Sequence, residues 1–127
     1  MKYLLDTHVL LWWLENSPKL SKRAVEVLVN PEEELYYSVA STWEITLKHS
    51  MGKLRIEGGV SSLLLALCEK DVKRLGVETW HLECLDTLPF IHRDPFDRML
   101  IATANAEGMT LVTADENIRR YNVEWLW

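Results

Sequence analysis

Two apolar runs, KYLLD (2–6) and MTLVTAD (109–115), end on an aspartate and pass straight into polar, helix-forming sequence. A short apolar run ended this way is the pattern of a strand buried on both faces. Three more β-rich segments read as strands: LYYSV (35–39), VETW (77–80) and VEWLW (123–127). Between them fall helical stretches at 7–15, 21–30, 41–52, 60–76, 81–89, 94–108 and a turn at 116–121. The SKRAVEVLVN helix puts Ala24, Val25, Leu28 and Val29 on one face, and Gly52, Gly76 and Gly108 read as helix stops. Strands alternating with helices predict an α/β sandwich, three layers deep, around a mainly parallel sheet of about four to five strands. In such sheets ligands bind beyond the carboxyl ends of the strands, where both aspartates lie.

The chain of 127 residues is expected to form one domain over 1–127, with 48% hydrophobic and 26% charged residues arguing against disorder. Cys68 and Cys84 are too few for a disulfide scaffold and read as reduced, buried small residues. MKYLLDTHVLLWWL resembles a signal peptide, but Asp6 and His8 interrupt it and no cleavage site follows. No run approaches membrane-span length, so the expectation is a cytoplasmic protein without membrane attachment. A net charge of −5 disfavours a general nucleic-acid coat. It is compatible with a nuclease, which needs only a local basic rim, for which Lys48, Lys53, Arg55, Arg93, Arg98, Arg119 and Arg120 are candidates.

Four acids each have an ordinary structural explanation. Asp6 could cap the helix after the first strand, and Asp115 the turn ENIRRY. Ser41-Thr42-Trp43-Glu44 fits a capping box, and Glu44 stands four residues before Lys48. In HRDPFDRMLIATA (92–104), Asp94 and Pro95 begin a helix and Asp97 falls in its first turn. A cap contributes about 1 kcal/mol, whereas two carboxylates about 5 Å apart repel by roughly 3 kcal/mol at an effective dielectric near 20. Capping therefore cannot justify bringing these acids together, but a cation can. Carboxylates without accompanying His or Cys suit Mg²⁺ or Mn²⁺, and neither GxGxxG nor GxxxxGK[ST] is present to cradle a nucleotide. The chemistry such a site favours is phosphodiester hydrolysis.

LLDTHVLLWWL, SVASTWEITLKHSMGKL, HRDPFDRMLIATA and LVTADENI together resemble the PIN-domain ribonucleases, specifically the VapC-like toxins of type II toxin–antitoxin pairs. The resemblance implies a PIN-like fold and a Mg²⁺-dependent (or Mn²⁺-dependent) endoribonuclease with Asp6, Glu44, Asp97 and Asp115 as catalytic, metal-holding acids. It also implies cleavage leaving 5′-phosphate and 3′-hydroxyl ends, an RNA substrate, a VapB-like antitoxin and a homodimer. Thr113, Thr7, Arg98 and Asp94 are supporting candidates. Thr113 and Thr7 offer hydroxyls beside the acids, Arg98 a phosphate contact or a surface ion pair, and Asp94 first of all a helix cap. His8 reads as structural, and Trp12, Trp13 and Trp43 as core. Met51 and the leucines of 63–67 read as core or dimer surface. A rival from another class is a catalytically silent PIN-like module that binds RNA or protein while its acids only cap helices. A phosphate-transfer domain is disfavoured by His8, where a second aspartate would be required, and by the lack of paired acids after the first strand.

Overall fold

The computed structural model describes residues 1–127. Its elements are β1 (Lys2–Leu5), α1 (Thr7–Leu14), α2 (Lys22–Val29), β2 (Glu34–Ser38), α3 (Val39–Ser50) and α4 (Gly59–Glu69), followed by β3 (Lys73–Leu75), α5 (Thr79–Asp86), α6 (Pro95–Glu107), β4 (Thr110–Val112), α7 (Glu116–Arg119) and β5 (Trp125–Leu126). The strands form one sheet in the order β3-β2-β1-β4-β5, and every pair is parallel.

Side chains alternate across the central strand. Tyr3 and Leu5 enter a core with Val9, Leu10, Ala24, Leu28, Ile45, Leu63 and Leu67, under α1, α2, α3 and α4. Leu4 enters a second core with Leu100, Ile101, Ala104 and Ile118, under α6 and α7. A strand covered on both faces must be apolar throughout, which is why β1 shows no polar alternation. The result is the three-layer α/β/α sandwich. The chain builds outward from β1 to β3, then returns to build β4 and β5 on the other side. Strand order therefore reverses between β1 and β4, and the carboxyl ends flanking that point are where such sheets bind ligands.

Several boundaries differ from those the sequence suggests. The third strand is Lys73–Leu75, not 77–80: α4 stops at Glu69, where Lys70 turns extended, and the segment pairs in parallel with β2. Backbone pairing overrides the helical periodicity of 60–76, and exposed Lys73 and Arg74 protect the sheet edge against further pairing. Gly76 thus follows a strand and ends no helix. Of residues 77–80, Val77 and Glu78 lead into α5 and Thr79 and Trp80 begin it; its capping box joins Glu78 and His81. The helix expected from Ser41 begins at Val39, capped by the Ser38 side chain. In α2, Ala24 and Leu28 are buried while Val25 and Val29 face outward. Cys68 is exposed and Cys84 half-buried, so neither is a core residue. Gly108 does end α6, at a positive φ of 66° that costs a glycine little. No helix is long and apolar enough to cross a membrane.

Candidate active site

The sheet delivers the four acids to one edge. Asp6 follows β1, Asp115 lies three residues beyond β4, Glu44 sits in the second turn of α3 directly after β2, and Asp97 in the first turn of α6. Their fields overlap. Asp97 feels Asp94, Asp6 and Asp115, Asp6 feels Asp115, and Lys48 feels Glu44, Asp94 and Asp97. No three of them close around a common point tightly enough to form a ligand set. Each carboxyl is turned onto a protein partner.

Those partners separate the capping acids from the others. Asp94 Oδ1 accepts the backbone N–H groups of Phe96 and Asp97, both at 2.9 Å, so it is the α6 cap. Asp115 Oδ1 accepts from Asn117 and Ile118, at 2.7 and 3.2 Å, and caps α7. Asp6 holds the cap position of α1, yet its side chain makes no capping bond. It is 2% exposed and instead accepts from the Thr113 hydroxyl at 2.8 Å. Burial is the chief cause raising its pKa, and Asp115 adds to the rise. Thr113 Oγ1 also accepts from the backbone N–H of Asp115, which ties the β1 and β4 ends together.

Glu44 is not part of a capping box, because Ser41 is inside the helix. The Ser41 hydroxyl accepts from Thr7 at 2.9 Å, joining α3 to α1. Glu44 is 3% exposed; Oε2 takes the Lys48 ammonium at 2.7 Å, while Oε1 is buried with no partner. An unpartnered buried carboxylate oxygen is costly unless something further binds it. The bond to Glu44 leads the causes raising the Lys48 pKa.

Asp97 is strongly perturbed as well. Burial, aided by Asp94, Asp6 and Asp115, lifts its pKa to about 7, against the lowering effect of a bond to His92. His92 Nε2 lies 3.1 Å from Asp97 Oδ2, and its Nδ1 lies 2.7 Å from the Tyr121 hydroxyl. Burial opposes a charge on His92, but the Tyr121 and Asp97 bonds outweigh it and raise its pKa. His92 and Tyr121 are site residues that sequence reasoning missed. No spacing rule relates a residue before a helix to a first-turn carboxylate, and Tyr121 lies 29 positions from His92.

Arg98 is not a surface ion pair. It is buried, donates to the carbonyl oxygens of Pro89 and Leu88 and to Tyr121, and stacks over Phe90 at 3.9 Å. A guanidinium with carbonyl partners and an aromatic face can be buried without a carboxylate. Trp43, expected in the core, is 64% exposed and meets Phe96 edge-on at 5.1 Å. Trp13 does pack against the first core.

A three-layer sandwich with acids on the carboxyl edge of a parallel sheet defines the class. The PIN domain model matches residues 3–124, and the chain belongs to the PIN-domain family. It is 30% identical over 119 residues to Ribonuclease VapC22 of Mycobacterium tuberculosis (strain ATCC 25618 / H37Rv), spanning 93% of this chain and 90% of that protein. Among solved structures, VapBC2 from Rickettsia felis, bound to a promoter DNA fragment, matches with a TM-score of 0.75 at 16% identity, covering 99% of this chain and 98% of that one. VapBC-1 from nontypeable Haemophilus influenzae matches with a TM-score of 0.70 at 20% identity, covering 99% and 97%. At such identities these two establish the fold.

Proposed function

We propose that this protein is a VapC-type endoribonuclease, the toxin of a toxin–antitoxin pair, with a hard-cation centre built from Asp6, Glu44, Asp97 and Asp115. One observation carries the reading: buried carboxyls whose ionisation is opposed by burial and by one another are gathered where the strand order reverses. A cation removes that conflict, and the donor set fits one, being all oxygen and including the unpartnered Glu44 Oε1.

In this reading Asp6 and Asp97 are the principal ligands, and Glu44 and Asp115 complete the set. Asp115 has its second oxygen free of capping, since both cap bonds go to Oδ1. Mg²⁺ or Mn²⁺, when bound, lowers the pKa of its water and offsets negative charge on the phosphate. Thr113 holds the Asp6 carboxyl at one oxygen, and Lys48 keeps a positive charge beside Glu44 at the rim. The substrate is RNA, cut to leave 5′-phosphate and 3′-hydroxyl ends. The structural neighbours are VapBC assemblies, and a VapB-like antitoxin is the corresponding partner here. Trp43, Leu47 and Met51, exposed one turn apart along α3, form an apolar stripe that supports pairing of two copies.

An RNA cleavage assay of the wild type and Asp97→Asn, with Mg²⁺ and with chelator, tests the reading. Cleavage that needs the metal and disappears in the variant is expected. Cleavage in chelator, or an active variant, overturns it, and binding without cleavage would favour the silent module.

A further inference from the structure

The loop between α5 and α6 brings the helix cap Asp94 and the His92 ring to the site, and the hydrogens around Tyr121 determine how the ring is presented. The Tyr121 oxygen lies 3.1 Å from the His92 backbone N–H and 3.1 Å from Arg98 Nη1, and both groups can only donate. Its two acceptor positions are thereby filled. The hydroxyl hydrogen is left with His92 Nδ1 at 2.7 Å or the His92 carbonyl oxygen at 3.4 Å, and the ring nitrogen is much the better acceptor. A neutral imidazole accepting at Nδ1 carries its hydrogen on Nε2, which faces Asp97 Oδ2 at 3.1 Å. A protonated ring keeps the same Nε2–H on Asp97, its Nδ1–H then donating to the Tyr121 oxygen while the Tyr121 hydrogen turns to the His92 carbonyl oxygen.

The support behind Tyr121 is equally specific. Arg98, one residue after Asp97, donates to the carbonyl oxygens of Leu88 at 3.3 Å and Pro89 at 2.8 Å. It therefore fastens the loop to the helix that carries the acid. Asp97 Oδ1 makes no hydrogen bond to the protein.

We propose that His92 is a positioning residue: Tyr121 and Arg98 aim its Nε2–H at Asp97 Oδ2, which holds the carboxylate with Oδ1 presented to the cation. This rests on the reading of Asp97 as a cation ligand. Partners that orient a ligand's second atom change metal affinity or activity by about 10–100-fold when removed.

The test is Mn²⁺ titration of the full-length protein by calorimetry, alongside the ring-nitrogen chemical shifts of His92 in the metal-free wild type. Glutamine places an N–H near the position of Nε2 and asparagine near that of Nδ1. His92→Asn is therefore expected to weaken Mn²⁺ binding about 10–100-fold, with His92→Gln restoring most of it. Tyr121→Phe is expected to weaken binding and to lose the tautomer preference. The shift measurement needs no variant. Above the imidazole titration range it should find the hydrogen on Nε2, and a hydrogen on Nδ1 overturns the proposal. Wild-type Mn²⁺ affinity in both His92→Asn and Tyr121→Phe also overturns it. A wild type that neither binds Mn²⁺ nor cleaves RNA instead overturns the cation-site reading, which distinguishes the two failures.

Discussion

Replacing Asp97 by asparagine separates two explanations of the residue by the sign of the stability change. If Asp97 serves only the dipole of α6, its loss costs up to about 1 kcal/mol. The structure predicts the opposite. Burial, with help from neighbouring acids, moves its pKa from 3.8 to about 7, so the folded state resists ionisation that the unfolded chain undergoes freely. A carboxyl whose folded pKa is raised contributes fully below pH ~4, and the contribution is lost as pH rises through about 7. At 1.36 kcal/mol per pH unit, that interval sets a ceiling of about 4 kcal/mol. The side chain keeps some solvent contact, 15% exposed, and screening reduces the figure to about 2 kcal/mol. Asparagine has nearly the same shape and still offers an oxygen to His92 Nε2–H. Asp97→Asn should therefore stabilise the metal-free protein by about 2 kcal/mol above pH ~8, or very roughly 6–12 °C in Tm for a chain this size. The gap should close as pH falls towards and below ~4, where the acid becomes protonated in both states. Thermal melts of both proteins across this range, without divalent ions, provide the measurement. A variant less stable than wild type above pH ~8, or a gap that does not change with pH, would refute the reasoning.

Asp6→Asn should behave in the same direction, gaining stability as pH rises while keeping an acceptor for Thr113 and losing cleavage; melts and the RNA assay check it. Mn²⁺ should raise the wild-type Tm, by about 2.7 kcal/mol of stability at one hundred times Kd, with reversal by chelator and a much smaller response in Asp97→Asn. Ser38→Ala removes the cap of α3 and should cost about 1 kcal/mol in urea unfolding. Arg98→Ala leaves the Leu88 carbonyl without its donor, takes one of two donors from the Pro89 carbonyl and from Tyr121, and opens a cavity beside Phe90, a loss of about 3 kcal/mol measurable the same way.

What the chain reveals by itself is whatever nearest neighbours decide. The Asp94-Pro95 start and Gly108 stop of α6, the Ser21 cap of α2, and the buried runs of β1 and β4 follow from local backbone preference and two-sided burial. The Glu44–Lys48 pair is also local, one helical turn long. The four acids stand out in sequence because their flanking strands and helices are legible, and strand ends in a parallel sheet share one edge. Only the tertiary structure decided the rest. β3 exists because β2 offers it an unpaired edge, and α3 starts early because Ser38, at the end of a strand, reaches Ala40 N–H before Ser41 could act as a cap. Arg98 is buried because two loop carbonyls, Phe90 and Tyr121 surround it. His92 meets Asp97, 5 positions on, with its ring held by Tyr121, 29 positions away. The reason is common to all of these. A cap or a stop is settled by energies within a few residues, whereas burial of a charge or the aim of an imidazole depends on which distant segments the sheet brings together.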